Sequence, residues 1–329
     1  MSLTDLTRRQ FLKIAGAGST VVAMPSLLRG SDASALPMRT LGRTGVTVPV
    51  LGLGTAPAGH RPRKEAAAFF ESAMDKGVTY LDAAPEFTGY GLAQKAVGDV
   101  LQDAERRKAA FLVTKCFEPD GEKALALLKS NLDELRVERA DLVYVHSLGD
   151  DKMDPKVVFG RNGVGPALRK AQKDGLCRFV GVSGHNRPDR FAAAIDDFDP
   201  DVMMNAVNPV VRHVYGFETT VWPKAKEKNI GLVAMKVLGG MHRKATDPAT
   251  QPNAKGGRIR EQTRHCFRYA LGLEGVSLAV LGCFDDKELD EAIGWAKSFQ
   301  PLTGDEREQL LAWGKSQTGE WGNVYGPVA

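Results

Sequence analysis

Cysteine is scarce in this chain and badly spaced for a metal. Cys116, Cys177, Cys266 and Cys283 form no CxxC pair and no other ligand spacing, so neither a zinc site nor an iron–sulfur cluster is expected. Small buried apolar residues are the simpler reading of all four. No apolar run reaches the roughly 20 residues of a membrane-spanning helix. The formal charge is only +4 and it is not clustered, and no basic run is interleaved with stacking aromatics. Such a balance gives no case for nucleic acid or for an anionic membrane as partner. A glycine fingerprint of the GxGxxG type is also lacking after the first strand. Gly52 and Gly54 stand inside that strand, which argues against a doubly wound dinucleotide fold.

What is present begins with a leader-like stretch. Thr7-Arg8-Arg9-Gln10-Phe11-Leu12-Lys13 is a twin-arginine pattern. A mildly apolar run from Ile14 to Leu28 follows, and Ala33-Ser34-Ala35 has the small-x-small form of a cleavage site. Residues 1–35 resemble a twin-arginine export signal, and the mature protein is expected to be periplasmic or otherwise exported through the twin-arginine translocon. Residues 36–329 are expected to form a single folded domain.

From Met38 to Pro49, short extended pieces flank Gly42 and Thr44-Gly45, which predicts a β-hairpin. Then apolar runs alternate with helical spacings. Strands are expected at 50–55, 77–82, 111–115, 142–146, 179–183, 202–205, 230–236 and 276–282. Helices are expected at 64–76, 93–101, 122–135, 166–174, 188–195, 261–272, 286–299 and 304–315. Strands buried on both faces read as unbroken apolar runs, and these do. Eight such strands in regular alternation predict a (β/α)8 TIM barrel with an N-terminal β-hairpin. Two long loops interrupt the rhythm, at 147–164 and 239–257.

Three successive strands end in an ionisable residue: Asp82, Lys115 and His146. In a parallel barrel these ends share one rim, the rim where barrel enzymes place their chemistry. An acid, an ammonium and an imidazole can there pair, hold a charge and polarise a bound oxygen. A metal-dependent isomerase barrel would want several carboxylates at strand ends, and only Asp82 is found.

The pieces LGRTGVTVPVLGLGT, GVTYLDAAP, FLVTK, DLVYVH, FVGVSGH and VLGCFDDKELDEA, in this order from Met38 to Lys297, are similar to those of the aldo-keto reductases. The resemblance implies carbonyl reduction, or the reverse oxidation of an alcohol or sugar, with NADP or NAD held at the barrel mouth. It implies catalytic roles for Asp82, Lys115 and His146, and for a tyrosine. The family's usual count from Asp82 lands on Phe87. Tyr90-Gly91-Leu92-Ala93-Gln94 resembles the family's tyrosine run, displaced by three residues, and Tyr90 is taken as the proton donor, its pKa expected to be lowered by Lys115. With Phe87 in that place instead, the chain would be a nucleotide-binding barrel of regulatory role and little turnover. The resemblance further implies cofactor contacts at Ser183, Asn205, Lys236, Leu238, Gly239, Gly282, Lys287 and Glu288. Glu288 stands where an arginine usually meets the 2′-phosphate of NADP, which leaves NAD open. Trp321 and Tyr325 are expected either to line the pocket or to fasten the tail.

Overall fold

The computed structural model describes residues 35–240 and 259–329. All but the last residue of the leader expected at 1–35, and most of the loop expected at 239–257, therefore lie outside the described residues. Residues from Ala35 onward form one compact unit.

The chain opens with an antiparallel hairpin, β1 (Met38–Thr40) and β2 (Thr47–Pro49), in which Arg39 faces Val48. Gly45 makes its turn with a φ of 69°, in the region where a side chain would be strained. Eight parallel strands follow: β3 (Leu51–Gly54), β4 (Tyr80–Asp82), β5 (Phe111–Cys116), β6 (Ala140–Val145), β7 (Cys177–Gly184), β8 (Val202–Ala206), β9 (Gly231–Met235) and β10 (Val276–Gly282). They close into a barrel in chain order, with β10 pairing back onto β3. Each strand expected from the sequence is present within a few residues of its expected bounds.

Alternation along these strands sorts side chains into two cores. Outward residues such as Leu81, Leu112, Val143, Val182 and Leu232 pack beneath the surrounding helices. Inward residues fill the lumen: Tyr80, Phe111, Val113, Leu142, Tyr144, Met204, Val233 and Leu278. Leu41 and Val48 from the hairpin region join this inner cluster. Arg39 ties the hairpin to the end of the chain by donating from Nη1 to the carbonyls of Leu271 and Val276, each at 2.8 Å. Hairpin and lumen thus form one stoppered core, and the barrel is open only at the C-terminal ends of its strands.

Amphipathic spacing accounts for the longer helices. Gly121–Leu135 buries Leu128, Leu132 and Leu135, and the Asp120 carboxylate caps it by accepting from the Lys123 N–H at 3.0 Å. Thr303 and Glu306 form a capping box on Gly304–Trp321, which runs six residues past its expected end. Short helices at Ala104–Ala109, Phe217–Thr220 and Trp222–Glu227 were not foreseen, being too brief for a periodic signal. No helix among the described residues is long and apolar enough to cross a membrane. The four cysteines are buried, with no disulfide between them.

Candidate active site

Strand period two carries the inner layer upward: Tyr80 lies in the packed lumen, and Asp82, two residues on, faces the open end. Asp82 Oδ2 accepts from Lys115 Nζ at 2.7 Å and from the Tyr90 hydroxyl at 3.0 Å. Lys115 Nζ also donates to the Tyr90 oxygen, at 2.7 Å. Lys115 and Asp82 are deeply set, 1% and 3% exposed, while Tyr90 is half-buried at the cavity wall. An ion pair this buried survives only where the charges are matched and further bonded, which the phenol accomplishes.

A polar network fixes Lys115 from behind. Asn131 Nδ2 donates to the Lys115 carbonyl at 3.0 Å, Thr114 Oγ1 donates to Gln94 Oε1 at 2.6 Å, and Gln94 Nε2 reaches Glu134 Oε2 at 3.0 Å. Gln94 belongs to the helix Ala93–Val100, which begins three residues after Tyr90. The strand that presents the ammonium and the segment that presents the phenol are therefore locked together.

The loop after Asp82 explains the displaced tyrosine. Residues Glu86–Thr88 form one 3₁₀ turn, ended by Gly89 with a φ of 88°. That turn throws Phe87 outward, 63% exposed, and brings the chain back so that Tyr90 meets Lys115. Gly59 and Gly91 seat the returning segment: a Cβ on Gly59 would strike the Tyr90 carbonyl, and one on Gly91 would strike that of Gly59. The Leu92 N–H donates to the Gly59 carbonyl at 2.7 Å.

His146 directly follows β6, and its imidazole meets Tyr90 edge-on, with centroids 6.4 Å apart. Its Nδ1 is buried without a hydrogen-bond partner. Burial, then the charges of Lys115 and neighbouring groups, holds its pKa well below the usual histidine range. The ring is neutral at pH 7, so one nitrogen is a donor and the other an acceptor. Tyr90 departs from expectation: burial and the Asp82 carboxylate raise its pKa rather than lower it. The phenol keeps its proton chiefly because burial disfavours a phenolate, and the carboxylate it donates to adds to that, outweighing the Lys115 ammonium at 2.7 Å. Burial also pulls the Lys115 ammonium down, against the opposing pull of Asp82.

These groups line a cavity of about 940 Å³ at the open end of the barrel. Of the expected cofactor residues, Ser183, Lys236, Leu238, Gly239 and Gly282 line it too. Ser183 Oγ is buried and unpartnered. Asn205, Lys287 and Glu288 are not in its wall. Asn205 follows the inward Met204 and so turns to the helix layer, where Oδ1 accepts from Trp222 Nε1 at 2.9 Å. Glu288 sits at the start of the helix Asp286–Lys297, accepting from the Phe284 N–H at 2.9 Å through Oε2. Lys287 on the same turn is exposed.

The tail does both things expected of it, with its two aromatics divided between them. Trp321 joins the outer core, while Tyr325 lines the cavity against His185, with ring centroids 5.4 Å apart. The Tyr215 hydroxyl clamps the tail, accepting from the Tyr325 N–H at 3.0 Å and donating to the Gly326 carbonyl at 2.9 Å. Phe117, Asn186 and Tyr215 carry no sequence signal that would have singled them out. Gln94 had one, its place in the Tyr90 run. No group of residues that could hold a metal ion occurs among the described residues.

A closed parallel barrel with an acid, a phenol, an ammonium and an imidazole gathered at its open end defines an enzyme of the barrel class. The sequence profile of the Aldo/keto reductase family matches residues 50–312. The chain belongs to that family, and with it to the oxidoreductases. It is 23% identical over 304 residues to L-galactose dehydrogenase of Arabidopsis thaliana, covering 82% of this chain and 91% of that one. It is 26% identical over 251 residues to D-threo-aldose 1-dehydrogenase of a Pseudomonas species, covering 66% and 74%. Among solved structures, the aldo-keto reductase AKR11C1 of Bacillus halodurans superposes with a TM-score of 0.66 at 19% identity, covering 84% of this chain and 96% of that one. An aldo-keto reductase of Klebsiella pneumoniae, in complex with NADPH, gives 0.65 at 20% identity, covering 85% and 95%.

Proposed function

We propose that this protein is a nicotinamide-nucleotide-dependent oxidoreductase that reduces a small carbonyl compound, or oxidises the corresponding alcohol or sugar. One observation carries the reading: the Tyr90 hydroxyl is held at once by Lys115 and Asp82 on the cavity floor. The relatives named for aldose and L-galactose oxidation support a sugar or related polyol as one substrate class.

The residues of the cavity fit the cofactor. Ser183 Oγ, buried without a partner, suits a carboxamide, and the Leu238–Gly239 turn allows close backbone approach. When bound, a nicotinamide dinucleotide supplies or accepts the hydride. The rest is the work of this chain. The substrate oxygen accepts hydrogen bonds from His146 and from Tyr90, whose one hydroxyl proton turns from Asp82 to it, and these polarise the carbonyl. As negative charge grows on that oxygen, the Tyr90 proton moves to it. Lys115 steadies the phenolate left behind, and Asp82 keeps Lys115 charged and in place. In oxidation the same proton returns to Tyr90.

The family generally uses NADP(H). The family's count puts Glu288, which lies outside the described cavity wall, at the adenosine 2′-phosphate, and a carboxylate there would repel that phosphate, which supports NAD. For residues 1–35 we propose export by the twin-arginine translocon to the periplasm, on the strength of Arg8-Arg9 and the weakly apolar run after them. Replacing both arginines by lysine should leave the chain in the cytoplasm, as read by fractionation.

Fluorescence titration with NADH and NADPH, then turnover on a carbonyl panel, tests the central reading. Binding with turnover that vanishes in Tyr90→Phe supports it. Binding without turnover on any carbonyl would support the regulatory alternative instead.

A further inference from the structure

Among the described residues, the charges of the cavity do not balance. Lys115 is matched by Asp82 at 2.7 Å. Lys236, directly after β9, lines the same cavity, and no acceptor engages its ammonium among the described residues. The hydrogen bond at this residue involves its backbone instead: Asn208 Nδ2 donates to the Lys236 carbonyl at 2.9 Å. Its φ is 55°, a left-handed conformation that a long side chain rarely adopts and that clusters at functional sites.

Among the described residues, no other group in the wall supplies the missing negative charge. Asp82 is committed to Lys115 and Tyr90. Glu86 is exposed and lies 3.7 Å from Lys95. Asp150 is exposed and accepts from the Lys152 N–H. His146 and His185 are held neutral near pH 7 by burial and by the surrounding ammoniums. Lys152, with Nζ 3.6 Å from the Phe117 ring centroid, adds further positive potential near His146. Burial and the nearby Lys115 lower Lys236 to about 8, so it still carries most of its charge at neutral pH. A partly desolvated ammonium without a counter-ion is an unfavourable arrangement that a bound anion relieves.

We propose that Lys236 is the docking point for an oxyanion on the substrate, so that the enzyme acts on acidic carbonyl compounds in preference to neutral ones. This rests on the oxidoreductase reading above. The dinucleotide's pyrophosphate carries the same chemistry. Lys236, however, is coupled electrostatically to Lys115, Asp82 and His146, the groups assigned above to the reacting oxygen, which favours the substrate as the source. A carboxylate on Lys236 and a carbonyl on His146 and Tyr90 then fix a substrate at two points, the geometry that orientation demands.

The test compares 4-carboxybenzaldehyde with its neutral methyl ester, in the wild type, Lys236→Met and Lys236→Arg. The wild type should prefer the acid by about tenfold or more in kcat/KM, a magnitude usual for one charge-assisted contact. Lys236→Met should abolish that preference through KM for the acid, and Lys236→Arg should retain part of it. Equal turnover of acid and ester by the wild type overturns the inference. So does a weakened NADH or NADPH titration in Lys236→Met with the acid preference intact, which assigns the ammonium to the pyrophosphate. Failure of the wild type to turn over either aldehyde is a failure of the oxidoreductase reading. Calorimetric titration with terephthalate then still decides: binding lost in Lys236→Met upholds the anion site, and no binding to the wild type sinks it.

Discussion

Below Asp82 the barrel lumen is filled and bonded to itself; above Asp82 it opens into a cavity edged with unpartnered polar atoms. In the lower half, Tyr80 stacks on Phe111 with centroids 5.1 Å apart, and its hydroxyl meets that of Tyr144 at 3.3 Å. In the upper half, Asp82 Oδ1, His146 Nδ1 and Ser183 Oγ have no partner. The same eight strands supply both halves, and Tyr80 is only two residues from Asp82. Buried polar atoms are normally satisfied. Their concentration at one end therefore separates the part of the barrel built to stand from the part built to receive a ligand.

Substitutions in the two halves should fail in different ways, and that contrast can be broken by experiment. Above, Tyr90→Phe should lower kcat by about 10³-fold, the worth of a positioned proton donor, and cost only about 1–2 kcal/mol in urea unfolding, for the hydrogen bonds lost to the buried pair. Phe87→Leu, at an exposed ring, should stay within about threefold of wild type in the same assay. Below, Tyr144→Ala should cost about 3–5 kcal/mol in urea unfolding, because it empties a closed core. A large loss of stability in Tyr90→Phe would erase the distinction. Gly91→Ala lies on the border: its φ of 53° and its contact with Gly59 predict about tenfold lower activity from a misplaced Tyr90, with a modest loss of stability. At the rim, Glu288→Gln should shift the NADPH-to-NADH ratio of affinities upward by about fivefold, from roughly 1 kcal/mol of repulsion removed.

The smallest effect concerns acid. His146 and His185 have folded pKa values below the unfolded value, His185 reaching about 3, chiefly through burial. A depressed histidine favours the fold fully above its unfolded pKa, near 6.5, and that contribution is lost as pH falls toward the folded value. Urea midpoints should therefore decline from pH 7 to pH 5, and less steeply in His185→Gln. A midpoint that rises on acidification would contradict this assignment.

Much of this was legible in the residues. The eight apolar runs, the hairpin at Met38–Pro49 and the strand ends Asp82, Lys115 and His146 were readable because each depends on local pattern. Asn205 was not. Met203 and Met204 are both apolar in a strand buried on both sides, so nothing in the run tells which parity faces the lumen. The choice between Phe87 and Tyr90 turned on a 3₁₀ turn and on the Gly59–Gly91 approach, contacts between segments far apart in sequence. The rise in the Tyr90 pKa has no local signal either, because it comes first from burial, which only the closed fold sets, and then from Asp82 accepting the phenol's proton. Asn131 and Tyr215 act on backbone atoms of remote segments, which no periodicity announces.

The stopper at the closed end has a consequence for how the molecule is made. Arg39 leaves the ribosome early, yet one of its carbonyl partners, Leu271, comes 232 residues later. At about 5–20 residues per second, that interval is on the order of ten to fifty seconds. Strand β3 waits about as long for β10. Throughout translation the nascent chain is therefore an unclosed sheet with its plug unseated, and the barrel can shut only when synthesis is nearly over.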